Sequence, residues 1–159
     1  MKLDLSQMRS AILYSTFFDH DGTKRMVGGI ETYLLNLADV CRAMGIKPTI
    51  YQFANHAFEK NVDGITVIGM PVCHLPCNKG PSALFKTVIE RVDRDKDIII
   101  VGSDAQSVKS NRKRVVSVQH GISWDLPVRF RTNRTLLKNR LMGSLYKAWI
   151  RRRFVGYYA

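Results

Sequence analysis

The stretch AILYSTFFDHDGTKRMVGGIETYLLNLADVCRAMGIKPTIYQFA, residues 11–54, decides the fold. It opens on a short apolar, aromatic-rich run, Ala11 to Phe18, the mark of a buried strand. A polar loop follows and ends in Gly28-Gly29. Beyond it Ile30, Leu34, Leu37, Cys41 and Met44 fall at i, i+4, i+7, i+11 and i+14, one face of a helix. Glu31 sits in the first turn, where a negative charge suits the helix dipole, and Gly45 marks the stop. Thr49 to Ala54, rich in β-branched and aromatic residues, reads as a second strand. The unit is strand, helix, strand.

The rest of the chain continues the alternation. Gly64 to Met70 is a third strand, closed by Pro71. After a proline-containing loop Ser82 caps a helix with apolar positions Phe85, Val88, Ile89 and Val92. Asp97 to Val101, nearly all aliphatic, predicts a strand buried on both faces, and Val115 to Val118 predicts another. A long helix is expected over Thr132 to Phe154, its apolar stripe being Leu137, Leu141, Leu145, Ala148 and Trp149. The order β-α-β-β-α-β-β-α predicts an α/β fold of Rossmann-like type. Its doubly wound, largely parallel sheet lies between helical layers, α/β/α. One domain is expected over residues 1–159. Val155 to Ala159 follows the last helix where such a domain would add a further strand, so the chain reads as a piece of a longer protein.

No apolar run is long enough to span a bilayer, and Asp4 and Arg9 interrupt any signal-peptide layout, so a cytoplasmic protein is the expectation. Three cysteines imply no disulfide framework. The net charge of +12 is unevenly distributed. Residues 1–108 hold 12 Lys+Arg and 12 Asp+Glu, whereas residues 109–159 hold 13 Lys+Arg and one acid, Asp125. A positive field at one end favours an anionic partner such as phospholipid, nucleic acid or a phosphorylated ligand, or is simply a solvated basic face.

Ligands of open α/β sheets bind beyond the carboxyl ends of the strands. Four features fall there: the loop Asp19 to Gly29 with its paired glycines Gly28-Gly29, Asp19 and His20 directly after the first strand, Ser103-Asp104, and His120 with Gly121 leaving its face open. Two glycines before a helix either let the backbone N–H groups meet an anion or form a tight turn that brings helix and sheet together. No dinucleotide or Walker-type glycine pattern is present. His120 can hydrogen-bond a hydroxyl or take part in proton transfer. Cys73, His74 and Cys77 supply only three local ligands and no second pair at finger spacing, so no metal site is expected.

The strand AILYSTF, the loop ending GGIE, the helix TYLLNLADVCRAMG, the strand TIYQF, and the later DIIIVGSD and VVSVQHGISWD resemble family 4 glycosyltransferases. These are retaining, sugar-nucleotide-dependent enzymes of the GT-B fold. The resemblance spans roughly Ala11 to Asp125. It implies that this chain is the N-terminal, acceptor-side domain of an enzyme making a bacterial envelope or capsule glycan, with a separate donor domain absent. It implies Gly28 and Gly29 at the donor diphosphate, His120 at the transferred sugar, and Asp19, His20 and Asp104 at the acceptor. Its co-substrate would be a nucleotide-sugar, with no cofactor and no metal required. The three glutamates, Glu31, Glu59 and Glu90, do not provide the Glu-x7-Glu pattern of the family's donor domain, so the chain alone is not expected to catalyse transfer.

Within that reading, Arg140, Lys147, Arg151, Arg152 and Arg153 would draw the domain to an anionic leaflet at the inner face of the cell membrane, and the acceptor would be a glycan or lipid-linked. Two other readings stand beside it: a basic nucleic-acid-binding module, with aromatic residues in the same segment for stacking, and a Rossmann-type nucleotide-binding domain unrelated to sugar transfer.

Overall fold

Beyond the first strand, the chain alternates between building the sheet and covering it. The computed structural model describes residues 7–71, 82–102 and 110–118, with isolated helical positions at 141, 144 and 145. Six strands, β1 (Arg9–Leu13), β2 (Lys47–Phe53), β3 (Phe58–Val62), β4 (Ile65–Met70), β5 (Ile98–Val101) and β6 (Val115–Ser117), form one sheet. Among the described residues two helices accompany them, α1 (Gly29–Ala43) and α2 (Ser82–Ile89). The sheet order is β3-β4-β2-β1-β5-β6, with every pair parallel except β3 and β4.

Setting β3 aside, the parallel strands run third, second, first, fourth, fifth across the sheet. This is the order of a doubly wound nucleotide-binding domain. The two crossovers lie on opposite faces. Leu34, Ala38 and Cys41 of α1 pack with Ile12, Ile50, Val67 and Ile100. Leu84, Phe85 and Val88 of α2 pack with Ala11, Leu13, Ile99 and Val101. Alternate residues of each central strand therefore feed alternate cores, which is why β5 is aliphatic throughout. The chain is α/β, a mostly parallel sheet flanked by helices on both sides.

α1 ends as its sequence foretells. Gly45 adopts a φ of 78° and donates to the Arg42 carbonyl at 2.9 Å, and Ile46 donates to the Cys41 carbonyl at 2.9 Å. This is a Schellman closure, and Ile46 then turns into the core.

Three expectations change. β1 ends at Leu13 rather than Phe18, because the backbone N–H groups of Phe17 and Phe18 turn to the Gln52 side chain instead of a neighbouring strand. α2 closes at Ile89, so Val92 packs against the same core from the segment after it. β3 was unforeseen: its FEKNV is mostly exposed and carries no apolar alternation. It is nonetheless joined to β4 by the two-residue Asp63-Gly64 turn, with φ of 52° and 81° as such a hairpin turn needs. The Phe58 ring lies over Gly69, its partner across the ladder, where an added Cβ would come within 2.3 Å of the ring.

The chain divides into two compact units, residues 1–118 and 119–159. Within the helix expected over Thr132 to Phe154, Leu141, Ser144 and Leu145 are described. All three are helical, and Leu141 and Leu145, assigned above to an apolar stripe, stand exposed. No helix among the described residues is long and apolar enough to cross a membrane.

Candidate functional site

The chain reverses its direction of travel across the sheet between β1 and β5, and the two strands end together. Leu13 and Val101 are register partners, and Gly102 donates its N–H to the Leu13 carbonyl at 2.7 Å. A Cβ on Gly102 would lie 2.9 Å from that carbonyl and 3.1 Å from Leu34 Cδ2. Gly102 is therefore a packing glycine: it lets α1 settle close over the end of β5.

Gly28 and Gly29 have another character. Gly28 is the N-cap of α1 in an extended conformation open to any residue, with no side-chain cap on the helix. An added Cβ would meet only the Glu31 carboxylate, at 2.5 Å, and at Gly29 it would meet nothing within 4 Å. The tight-turn explanation thus finds no support at Gly29, since nothing among the described residues presses on it. The N–H groups of Gly29, Ile30 and Glu31 precede the first position that can bond four residues back, and they stand at the positive end of the helix. Thr32 closes the first turn, its N–H and hydroxyl both donating to the Gly28 carbonyl, at 3.1 and 2.9 Å.

Glu31, read from sequence as a helix-start residue, also has a tertiary partner. Tyr14, at the end of β1, donates its hydroxyl to Glu31 Oε1 at 3.2 Å. Burial, and then the nearby Glu31 charge, push the Tyr14 phenol up to about 12, so it remains a donor at neutral pH. The arrangement is a row of N–H donors with a carboxylate at its edge, which suits a ligand offering both an anionic group and hydroxyls.

The loop between β1 and α1 is a built structure. Phe18 and Arg25 form an isolated antiparallel bridge, and Arg25 lies 5.5 Å from the Phe17 ring centroid. Asp19 closes the loop from within. Its carboxylate accepts from the Thr23 N–H and hydroxyl, both at 2.6 Å, and from the Lys24 N–H at 3.1 Å. The Thr23 hydroxyl above all holds the Asp19 carboxyl below its usual range. These bonds make Asp19 a loop-shaping residue. His20 faces the β2 end, Nδ1 lying 3.4 Å from the Phe53 carbonyl, while its own carbonyl accepts from Asn55 at 2.8 Å.

Gln52 is the residue sequence reasoning missed. It is fully buried on β2. Its Oε1 accepts from Phe17 N–H at 3.0 Å and Phe18 N–H at 2.6 Å, and its Nε2 donates to the carbonyls of Phe18 and Phe53 at 3.1 and 2.9 Å. It fixes the path of the loop that leads to Asp19, His20 and the glycines. The signal was a lone amide inside TIYQFA, a strand otherwise apolar at that end.

Of the residues singled out from sequence, Gly28 and Gly29 share the carboxyl edge of the sheet with Asp19 and His20. Asp104 and His120 lie outside the described residues, as do Cys73, His74, Cys77 and the basic set Arg140, Lys147, Arg151, Arg152 and Arg153. Among the described residues no three His, Cys, Asp or Glu side chains gather as a metal site would require. No protein-family model, curated protein or solved structure matches this chain.

Proposed function

We propose that the chain is the acceptor-side domain of a retaining glycosyltransferase, which moves a sugar from a nucleotide-sugar to a glycan or lipid-linked acceptor. The observation that carries the reading is the bare helix start, Gly28-Gly29, at the carboxyl edge of β1 in a sheet of doubly wound order. Among the described residues Gly29 has neither a left-handed backbone nor a neighbour within 4 Å to explain it, which supports approach by a ligand as its use. A diphosphate would take the free N–H groups of the first turn, and the Glu31 carboxylate would accept from sugar hydroxyls. His120 and Asp104 enter through the resemblance, as the residues facing the transferred sugar and the acceptor. The activity also needs a donor domain, which the resemblance places after this one.

The test is a titration of the isotopically labelled chain with UDP-, GDP- and dTDP-sugars, followed by amide NMR. Shifts at the Gly28, Gly29 and Ile30 amides are expected, with at least about tenfold weaker binding in Gly29→Val as the side chain blocks approach. Unmoved amides at millimolar ligand would sink the proposal. A second reading, a nucleic-acid-binding module, draws on the concentration of 13 Lys+Arg against one acid in residues 109–159.

A further inference from the structure

The two faces of β2 and β4 are built for different neighbours. On the α1 side they carry Ile50, Ile65 and Val67, all buried. On the α2 side Phe53 and Met70 join the core under α2, but the residues before them are Thr49, Tyr51, Thr66 and Ile68, each half-buried. A cavity of about 220 Å³ lies here, lined by those four residues together with Lys47 and Glu59. A face meant for an apolar helix would not carry three hydroxyls in one place.

The hydroxyls are grouped and unspent. Thr49 and Thr66 are register partners on adjacent strands, and Tyr51 follows Thr49 by two residues on the same face. Steps of this kind are about 5 Å across the ladder and about 7 Å along the strand. Among the described residues none of the three hydroxyls has a hydrogen-bond partner in the protein. Burial pushes the Tyr51 phenol up, against the pull of the Arg9 and Arg91 charges, so it is a donor at neutral pH.

The charges stand at two ends of the cavity. Lys47 precedes Thr49 by two residues on β2, whereas Glu59 lies two strands away, as the register partner of Ile68 on β3. Neither belongs to an ion pair among the described residues. Arg9 also reaches the lining, but its guanidinium is held by Asp97, so Lys47 is the lining cation left for a ligand. Lys47 only donates and Glu59 only accepts, with the hydroxyls between them able to do both. An occupant that answers all of them carries an anionic group at one end and hydroxyls along the rest. A bare anion would face the repulsion of Glu59, and a neutral sugar would leave Lys47 unanswered. The volume is below the roughly 300 Å³ at which sites for drug-sized molecules begin, so it suits a single sugar-sized unit.

We propose that this cavity, at the amino ends of β2 and β4, binds an anionic monosaccharide, its carboxylate or phosphate on Lys47 and its hydroxyls on Thr49, Thr66, Tyr51 and Glu59. It shares no residue with the helix start at Gly28-Gly29, and it does not depend on the sugar-transfer reading.

The isotopically labelled full chain is titrated with glucuronate, glucose 6-phosphate, glucose and inorganic phosphate, and its amides are followed by NMR. Shifts at Lys47, Thr49, Tyr51 and Thr66 are expected with the two anionic sugars, and the tighter of these identifies the charged group. Lys47→Met should weaken that binding at least about threefold and erase the preference over glucose. Thr49→Val with Thr66→Val keeps the β-branched shape of the strands and should weaken it at least about threefold. Circular dichroism checks that each variant is folded. Amides unmoved by either anionic sugar at about 20 mM, well above a millimolar Kd, overturn the proposal. So does binding indifferent to Lys47→Met, or glucose binding as tightly as glucuronate. Inorganic phosphate that reproduces the full shifts also overturns it and leaves the cavity an adventitious ion only.

Discussion

Gln52 shows how one side chain can carry a loop. A buried amide with unmet donors and acceptors is costly, and here each finds a backbone partner. Gln52→Leu keeps the volume but strands the N–H groups of Phe17 and Phe18 in an apolar interior. It should cost about 3 kcal/mol in urea unfolding, and a loss below about 1 kcal/mol would disprove the clamp. Tyr14 gives a second test at this scale. Its phenol titrates near 10 when unfolded and at about 12 when folded. Between those values the unfolded chain releases the proton first, so the contribution of Tyr14 to stability is constant below about pH 10 and falls as pH rises toward 12. Tyr14→Phe should flatten part of that fall in pH-dependent thermal melts, the remainder including Tyr51, which burial also raises. An unchanged slope would exclude Tyr14 as a source.

At the scale of elements, the amino ends of β1 and β5 are joined by an ion pair. Asp97 is buried and accepts from the Arg9 guanidinium, Nη2 at 2.7 Å and Nε at 3.3 Å, from the Arg9 N–H at 3.3 Å, and from the Asp93 N–H at 2.8 Å. The arginine side chain is about half exposed, so water screens its share. Arg9→Ala should cost about 2 kcal/mol because it leaves a buried carboxylate with backbone donors alone. Arg9→Ala with Asp97→Ala should cost less than the two singles added, the signature of a coupled pair, and strict additivity would contradict it. The same scale explains the missed strand. Phe58, Glu59, Lys60, Asn61 and Val62 form an edge strand, and charged side chains are what an edge strand carries to avoid pairing with other chains. Hydrophobic periodicity is blind to such a segment. The Asp63-Gly64 pair was legible, being a strong hairpin signal, but it gains meaning only with a strand before it.

For the whole molecule, charge is the property that reaches beyond the fold. The positive excess lies wholly in residues 109–159, while residues 1–108 are balanced. If the basic segment serves an envelope enzyme, the chain should co-sediment with anionic vesicles and not with neutral ones, and 0.5 M salt should release it, well beyond the screening of about 0.15 M. Equal binding to both vesicle types would end the membrane reading, and tighter binding to oligonucleotides, falling steeply with salt, would favour the nucleic-acid module.

The sequence by itself determined the class of fold, because runs such as Ile98 to Val101 can only be buried on both faces and α1 repeats its apolar residues at helical spacing. It also determined the helix stop at Gly45 and the place of Gly28-Gly29 before α1, since these depend on neighbours a few residues away. Only the tertiary structure decided that Gly102 is a packing glycine while Gly29 is open, that Asp19 spends its carboxylate on its own loop, that Glu31 faces Tyr14, and that Gln52 holds the loop they share. Those distinctions rest on contacts between residues up to 89 positions apart, as Leu13 and Gly102 are, and no local pattern of residue types records which neighbour the fold will bring.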